Sequence, residues 1–260
     1  MGSATVQGEL WGRHPQTWAD GMERRVQPLH EAAQQALGPW SAVRYLDAGC
    51  GSGLALELAA AQGAVVTGLD ASAPLLEVAR NRIPDADLHV GDLEALPFDT
   101  ASFDVVTAFN SIQYAQDPAA AIIELARVTR SGGKVAIGLW GDPAQCETEA
   151  LFAQLRALAP PPPGTPAPLG VSAAGVVEGL LDQAGLTVQG GAEVPIPISF
   201  ADHDEAWRDH TAGGPPQKLI DTVGPAPVRQ LLHDVLESDR KPDGSLRQDN
   251  VMRYVTAIKP

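Results

Sequence analysis

Residues 45–53 read Tyr45-Leu46-Asp47-Ala48-Gly49-Cys50-Gly51-Ser52-Gly53. A short apolar run from Val43 to Leu46 meets an acid, three glycines follow at every second position, and an Ala/Leu-rich stretch begins at Leu54. Glycine lets the backbone turn sharply and lets a ligand come close, because no Cβ is in the way. A strand that feeds such a turn and then a helix makes a nucleotide-binding corner. The spacing is G-x-G-x-G, with Asp47 two residues ahead of the first glycine. It therefore differs from the G-x-G-x-x-G of a dinucleotide site.

Working outward, strands and helices alternate. Val43–Leu46 reads as strand, 54–62 as helix ended by Gly63, and 64–69 as strand closing at Asp70. A helix over 73–82 has Ser72 as its N-cap. Strand 87–90 closes at Gly91-Asp92, strand 103–109 runs into Asn110, and 118–129 is a helix. Ser131-Gly132-Gly133 turns into a strand at 134–140. This rhythm predicts a parallel, doubly wound α/β sheet. Upstream, Trp18, Met22, Val26, Leu29 and Ala33 recur at helical steps, which predicts one helix over 16–37. Leu10 to Pro15 reads as a turn. Downstream, 146–158 is a helix, and prolines 160–163, 166 and 168 make a stiff loop. A helix at 173–184, a strand near 186–196, a helical insertion over 202–238 and a final strand at 250–258 complete the chain. Residues 239–250 faintly echo a calcium loop. Lys241 at a ligand position and the missing closing Glu exclude it.

Composition narrows the function. The chain has 260 residues, 44% of them hydrophobic, enough for one large α/β domain or for one domain with a lid. Asp and Glu outnumber Lys and Arg 32 to 18, for a net charge of −14. Phosphate neutralisation needs clustered cations, so nucleic acid is not an expected partner. The two cysteines are Cys50, inside the glycine turn, and Cys146, and neither predicts a structural disulfide. No apolar run is long enough to span a membrane and no signal sequence is evident, so a cytoplasmic protein is expected. No His, Asp and Glu set shows ligand spacing, so no metal is expected.

Further short segments follow the glycine turn in order: Asp70-Ala71, Gly91-Asp92-Leu93, Phe103-Asp104-Val105-Val106-Thr107 and Arg127-Val128-Thr129-Arg130-Ser131-Gly132-Gly133. With them, residues from about 43 to 140 resemble the core of the class I S-adenosylmethionine (SAM) dependent methyltransferases. The likeness is to the small-molecule branch, which includes enzymes of quinone biosynthesis. Ser131 departs from the proline usual there, a change that only loosens a turn.

The resemblance implies a Rossmann-like fold: a mostly parallel sheet, an antiparallel C-terminal strand and a helical lid. It implies one domain over 1–260, with a helical cover at 1–39, a SAM-binding core at 40–140 and lid insertions at 141–172 and 200–240. It implies that Asp47 and the turn Gly49, Cys50, Gly51 and Gly53 hold the methionine part, with Asn110 at the same end. Asp70 with Ala71 would take the ribose, and Asp92 with the Leu93 amide the adenine edge.

Methyl transfer from a sulfonium is an in-line displacement, so the protein's work is mostly alignment, and a base is needed only if the acceptor must lose a proton. His14 and His210, in the segments expected to fold over cofactor and acceptor, are the candidate bases. His89 in a strand and His30 on the first helix read as structural. Trp11, Gln113, Tyr114 and Trp140 are the candidate acceptor contacts. The expected reaction is O-, N- or C-methylation of a small metabolite, by a monomer or a homodimer. A non-methylating enzyme of the same fold, such as a cyclase, and a non-catalytic SAM binder stay open. A nicotinamide site is disfavoured by the glycine spacing.

Overall fold

The computed structural model describes residues 3–160 and 170–260, so most of the proline-rich stretch, from 161 to 169, lies outside the described residues. Four helices come first: α1 (Ser3–Trp11), α2 (Pro15–Asp20), α3 (Met22–Arg25) and α4 (Gln27–Leu37). The alternating core follows as β1 (Arg44–Ala48), α5 (Leu54–Ala61), β2 (Val65–Asp70), α6 (Ala73–Arg82), β3 (Asp87–Val90), β4 (Phe103–Phe109), α7 (Pro118–Val128) and β5 (Thr129–Trp140). Then come α8 (Glu147–Leu158), α9 (Val176–Gln183), β6 (Thr187–Pro195), β7 (Ile198–Phe200), α10 (His203–Thr211), α11 (Gly214–Val223), α12 (Pro225–Ser238), β8 (Leu246–Gln248) and β9 (Val251–Ile258).

The main sheet has seven strands in the order β3-β2-β1-β4-β5-β9-β6. β1 to β5 run parallel, and β9 runs antiparallel to both its neighbours, β5 and β6. This is the expected mostly parallel sheet with an antiparallel C-terminal strand. Strand order reverses between β1 and β4, so the chain leaves their carboxyl ends in opposite directions and opens a crevice there.

Side chains alternate across each strand with period two. Leu46 and Ala48 of β1, Val106 and Ala108 of β4, and Ile137 and Leu139 of β5 share one core with Ile122 and Leu125 of α7 and Leu181 of α9. The residues of opposite parity, among them Tyr45, Phe109 and Trp140, pack on the other face. Leu29 and Ala33 of α4 cover that face with no exposure. Parity also puts Asp47 and Thr107 on the α4 side, where both are buried.

Several expectations are corrected. The single helix over 16–37 is three, broken at Gly21 and Val26. A Cβ on Gly21 would stand 2.6 Å from Asp209 Oδ1, so the break is where α10 comes close. Residues 3–11 are helical where a turn was expected to begin at Leu10. β1 extends to Ala48, which puts Asp47 inside the strand rather than after it. Residues 131–133 belong to β5, with a register shift against β4 and Gly132 at φ +70. The helix expected from 173 begins at Val176. The pair β7–β8 was not anticipated: three residues per strand are too few to show a period.

Candidate functional site

The glycine turn is held from two sides. Gly49, Gly51 and Gly53 have φ of +83, +54 and +86, the left-handed region that glycine enters without a Cβ penalty. The amides of Gly49 and Cys50 donate to Leu69 O at 2.7 and 3.0 Å, tying the turn to β2. Asp70 continues that tie: its Oδ2 accepts from the Gly51 amide and its Oδ1 from the Ser72 amide, both at 2.8 Å. A Cβ on Gly49 would meet Ser111 Cβ at 2.3 Å, so the turn lies hard against the loop after β4. A Cβ on Gly51 would meet nothing closer than Glu23 Oε1 at 3.7 Å and Trp18 Nε1 at 3.8 Å. Its backbone therefore faces open space, which is the approach a ligand needs.

That space is an open cleft at the carboxyl ends of β1, β2 and β4, the edge at which ligands bind in open α/β sheets. Its floor includes Asp47, Gly49, Cys50 and Gly51; Asp70 and Ala71; Gly91, Asp92 and Leu93; and Asn110 and Ser111. Of the residues expected at the cofactor, only Gly53 stands outside this lining. It occupies the N-cap of α5, where a Cβ would press on Ala79 Cβ at 3.0 Å. Asn110 has φ +51, a region that asparagine tolerates better than most residues, and its side chain accepts from Gln113 Nε2.

Beside the turn, three of the four carboxylates of this cleft, Glu23, Asp47 and Asp70, influence one another; the fourth is Asp92. Glu23 is paired with Arg82 at 2.7 Å. Asp47 has the Thr107 hydroxyl at 2.7 Å, itself bonded to Tyr45 Oη at 2.6 Å. Neither Asp47 nor Asp70 has an ion-pair partner among the described residues. Burial raises the Asp47 pKa to about 7; the Thr107 bond opposes this, and the Asp70 and Glu23 charges add to it. Burial likewise raises the Asp70 carboxyl, against the pull of its backbone donors. Unneutralised, buried acids around a bare backbone turn make a site suited to a cation.

The walls come from outside the core motifs. Trp11 packs edge-on against Trp18, with centroids 4.7 Å apart, and against Tyr114 at 5.4 Å. All three line the cleft. Trp11 also nests on the start of α11, where a Cβ on Gly214 would strike its Nε1 at 2.6 Å. At the far end stand Val26, His30, Leu54, Ala55 and Phe109. His30 tilts against Phe109 at 4.5 Å, its Nδ1 is buried without a partner, and burial lowers its pKa to about 4. It is thus a neutral imidazole at the cleft.

Other candidates lie apart from the cleft. Gln113 is buried beneath Asn110, and Trp140 packs in the core against Phe152 at 6.5 Å. His14 is exposed at the head of α2. His210 is buried between Phe200 and Phe152. Neither of its ring nitrogens has a partner within hydrogen-bond distance. Burial lowers its pKa to about 4; nearby Gln248 opposes the shift and Arg25 adds to it. Sequence reasoning missed Glu23, His30 and Phe109 as cleft residues. The available signal was spacing: Glu23 and His30 each stand one residue after a member of the apolar stripe, Met22 and Leu29, with Val26 of the stripe between them at steps of three and four.

Residues 46–137 match the family model described as a methyltransferase domain. Demethylmenaquinone methyltransferase of Renibacterium salmoninarum is 36% identical over 129 residues, 48% of this chain and 54% of the relative. The malonyl-[acyl-carrier protein] O-methyltransferase of Erwinia pyrifoliae is 40% identical over 123 residues, 47% of each. The chain thus spans about half the length of the curated relatives it matches. Among solved structures, the [4+2]-cyclase SpnF shares the fold with a TM-score of 0.60 at 20% identity, over 92% of this chain and 84% of that one. The resemblance carried by the motifs is borne out over the residues that carry it.

Proposed function

We propose that this chain, whose residues 46–137 match a methyltransferase-domain family model, is an enzyme that uses SAM to methylate a small metabolite on oxygen, nitrogen or carbon. One observation carries this reading: buried Asp47 and half-buried Asp70, neither with a protein cation among the described residues, line one cleft with the open backbone of Gly51. SAM fits that arrangement, since it brings a sulfonium and an ammonium to a site that lacks positive charge. When bound, it supplies an electrophilic methyl group and leaves as S-adenosylhomocysteine.

The chain's own residues then have distinct tasks. Gly49 and Gly51 allow close approach, and Asp47 offers an acceptor to the cationic end. Asp70 retains lone pairs for ribose hydroxyls beyond its two backbone donors. Asp92 and Leu93 stand where the adenine edge would lie, and Asn110 by the methionine end. Trp11, Trp18 and Tyr114, drawn from three separate segments, form an aromatic rim suited to an apolar or aromatic acceptor. Neutral His30 beside Phe109 is placed to accept a hydrogen bond from such an acceptor. His14 and His210, off the cleft, are weaker candidates for a base, which favours catalysis by alignment.

We read the helices between 3 and 39 and the described parts of the segments 141–172 and 200–240, which leave out 161–169, as one lid over a single domain, with Trp11 on Gly214 as the join. A lid of this kind excludes water and sets acceptor shape. No helix among the described residues is long and apolar enough to cross a membrane. Both cysteines are buried and free, which supports a reducing, cytoplasmic setting.

Calorimetric titration with SAM and S-adenosylhomocysteine tests the proposal. Micromolar binding of both, with the charged ligand favoured, is the expected result. Failure of either to bind would overturn it. An acceptor screen scored by S-adenosylhomocysteine release then separates methyl transfer from other chemistry on the same fold, as in the structurally similar cyclase, because only methylation generates that product with acceptor.

A further inference from the structure

Away from the cleft, α10 and α12 bring together three side chains that the sequence keeps apart. His203 is the first residue of α10, and His233 and Glu237 lie one turn apart on α12. Residues four apart share a helix face. Each of the three offers one ligand atom, and these atoms all lie within 4.8 Å of one another. His203 Nε2 is 2.6 Å from Glu237 Oε1, and the two imidazoles stack with centroids 4.1 Å apart. His203 Nδ1 is buried without a partner, so reorienting that ring breaks no bond on that side.

The surroundings suit a cation. His233 Nδ1 lies 3.4 Å from Asp234 Oδ1. Such a carboxylate contact holds one ring nitrogen and leaves the other as a lone-pair donor, the arrangement that commonly orients metal-bound histidine. An open groove lined by His203, Asp204, Trp207, Arg229 and His233 gives access from solvent. Glu237 also accepts from Arg240 Nε at 3.0 Å and Nη2 at 2.5 Å, which burdens it with a competing cation. Asp204 is itself paired with Arg229 at 2.5 Å, and Asp234 lies against His233.

We propose that His203, His233 and Glu237 form a binding site for a divalent transition metal of the zinc class, which staples the start of α10 to the end of α12. Two imidazoles and one carboxylate are a zinc donor set that leaves a fourth position to water, and imidazole with carboxylate selects zinc, cobalt or nickel over magnesium or calcium. The expectation from sequence that no metal binds rested on spacing along the chain. His233-x-x-x-Glu237 has ligand spacing on a helix, but its third member lies 30 residues upstream.

The test uses the whole, untagged chain and does not depend on the methyltransferase reading. Zn²⁺ is titrated calorimetrically, and Co²⁺ is followed by its visible absorption, into wild type, His203→Ala, His233→Gln, Glu237→Gln and a His89→Ala control. The expected result is one equivalent bound at micromolar affinity, with tetrahedral cobalt bands. Each cluster variant weakens binding at least ~10-fold, and the control does not. Excess Zn²⁺ also raises the Tm of wild type more than that of His233→Gln. Absence of saturable binding by wild type, or binding that persists in all three cluster variants, would overturn the site. All three side chains sit on an accessible face, so the variants are expected to fold, and circular dichroism checks it.

Discussion

Arg25, near the end of α3, faces Asp209 and Glu205 of α10, whereas Glu23, two residues before it, faces a cleft that also holds Asp47 and Asp70. Both places bury carboxylates. In the first, one guanidinium answers them: Arg25 Nη2 lies 2.6 Å from Asp209 Oδ2 and 3.1 Å from Glu205 Oε1, its Nη1 donates to Ser199 O, and it rests 4.9 Å from the Phe200 ring centre. In the second, Arg82 pairs with Glu23 at 2.7 Å and with Glu57 at 3.6 Å, and Asp47 and Asp70 have no ion-pair partner among the described residues. The difference separates an acid that holds the fold from an acid kept for a ligand. A buried charge left without a counter-ion is costly, so its persistence calls for a partner that arrives from outside.

The largest effect is expected where the paired cluster is broken. Arg25→Ala leaves Asp209 buried and alone, and should cost about 3–5 kcal/mol. A urea melt of wild type and variant measures this; a loss below 1 kcal/mol would erase the distinction between the clusters. Asp70→Asn should do the reverse. SAM affinity should fall roughly 100-fold, about 2.7 kcal/mol, with a small change in Tm, because the amide oxygen can still hold one of the two backbone donors.

Asp47→Asn sharpens the contrast further. It removes an unpaired buried charge, so the ligand-free protein should be as stable as wild type or more so at pH 8, while SAM binds about 10-fold more weakly. A destabilised apo protein would show that Asp47 is structural instead. The pH dependence follows from its carboxyl being raised from 3.8 to about 7. Between those values the native state holds a proton that the unfolded state has released, so this group's contribution to stability falls as pH rises through the window. A cation prefers the ionised form, so preference for SAM over S-adenosylhomocysteine should grow as pH rises through about 7, and Asp47→Asn should flatten that growth. His30 and His210, lowered from 6.5 to about 4 by burial, act in the opposite sense. Their contribution to stability is lost as pH falls from 6.5 toward 4. The smallest effect is expected at exposed His14, where alanine should change stability by less than ~0.5 kcal/mol and leave SAM binding unchanged.

Much of the floor of the cleft was legible in the sequence because it is local. Asp47, Gly49, Gly51, Asp70, Asp92 and Asn110 each end a strand or begin the turn after it, and a parallel sheet brings successive strand ends to one edge. Its walls were not legible. Trp11 meets Tyr114, and His30 meets Phe109, across gaps of dozens of residues, and nothing in the spacing of either pair announces the contact. His210 illustrates the same limit from the other side: a histidine in a covering segment is equally compatible with the cleft and with the core, and packing put it between two phenylalanines.

The sequence by itself determined the α/β alternation, the β9 strand at the end and the glycine corner, since each depends on residues within a turn or two of one another. Tertiary structure alone decided which acids are neutralised. Arg25 reaches α10 only because Gly21 breaks the helix where Asp209 approaches, and Asp47 stays unpaired because, among the described residues, no basic side chain comes within ion-pair distance of it; Lys134, on the same face of the sheet, donates instead to Leu37 O and Gly38 O. Charge is written along the chain, but its compensation depends on distance in space, and folding sets that distance.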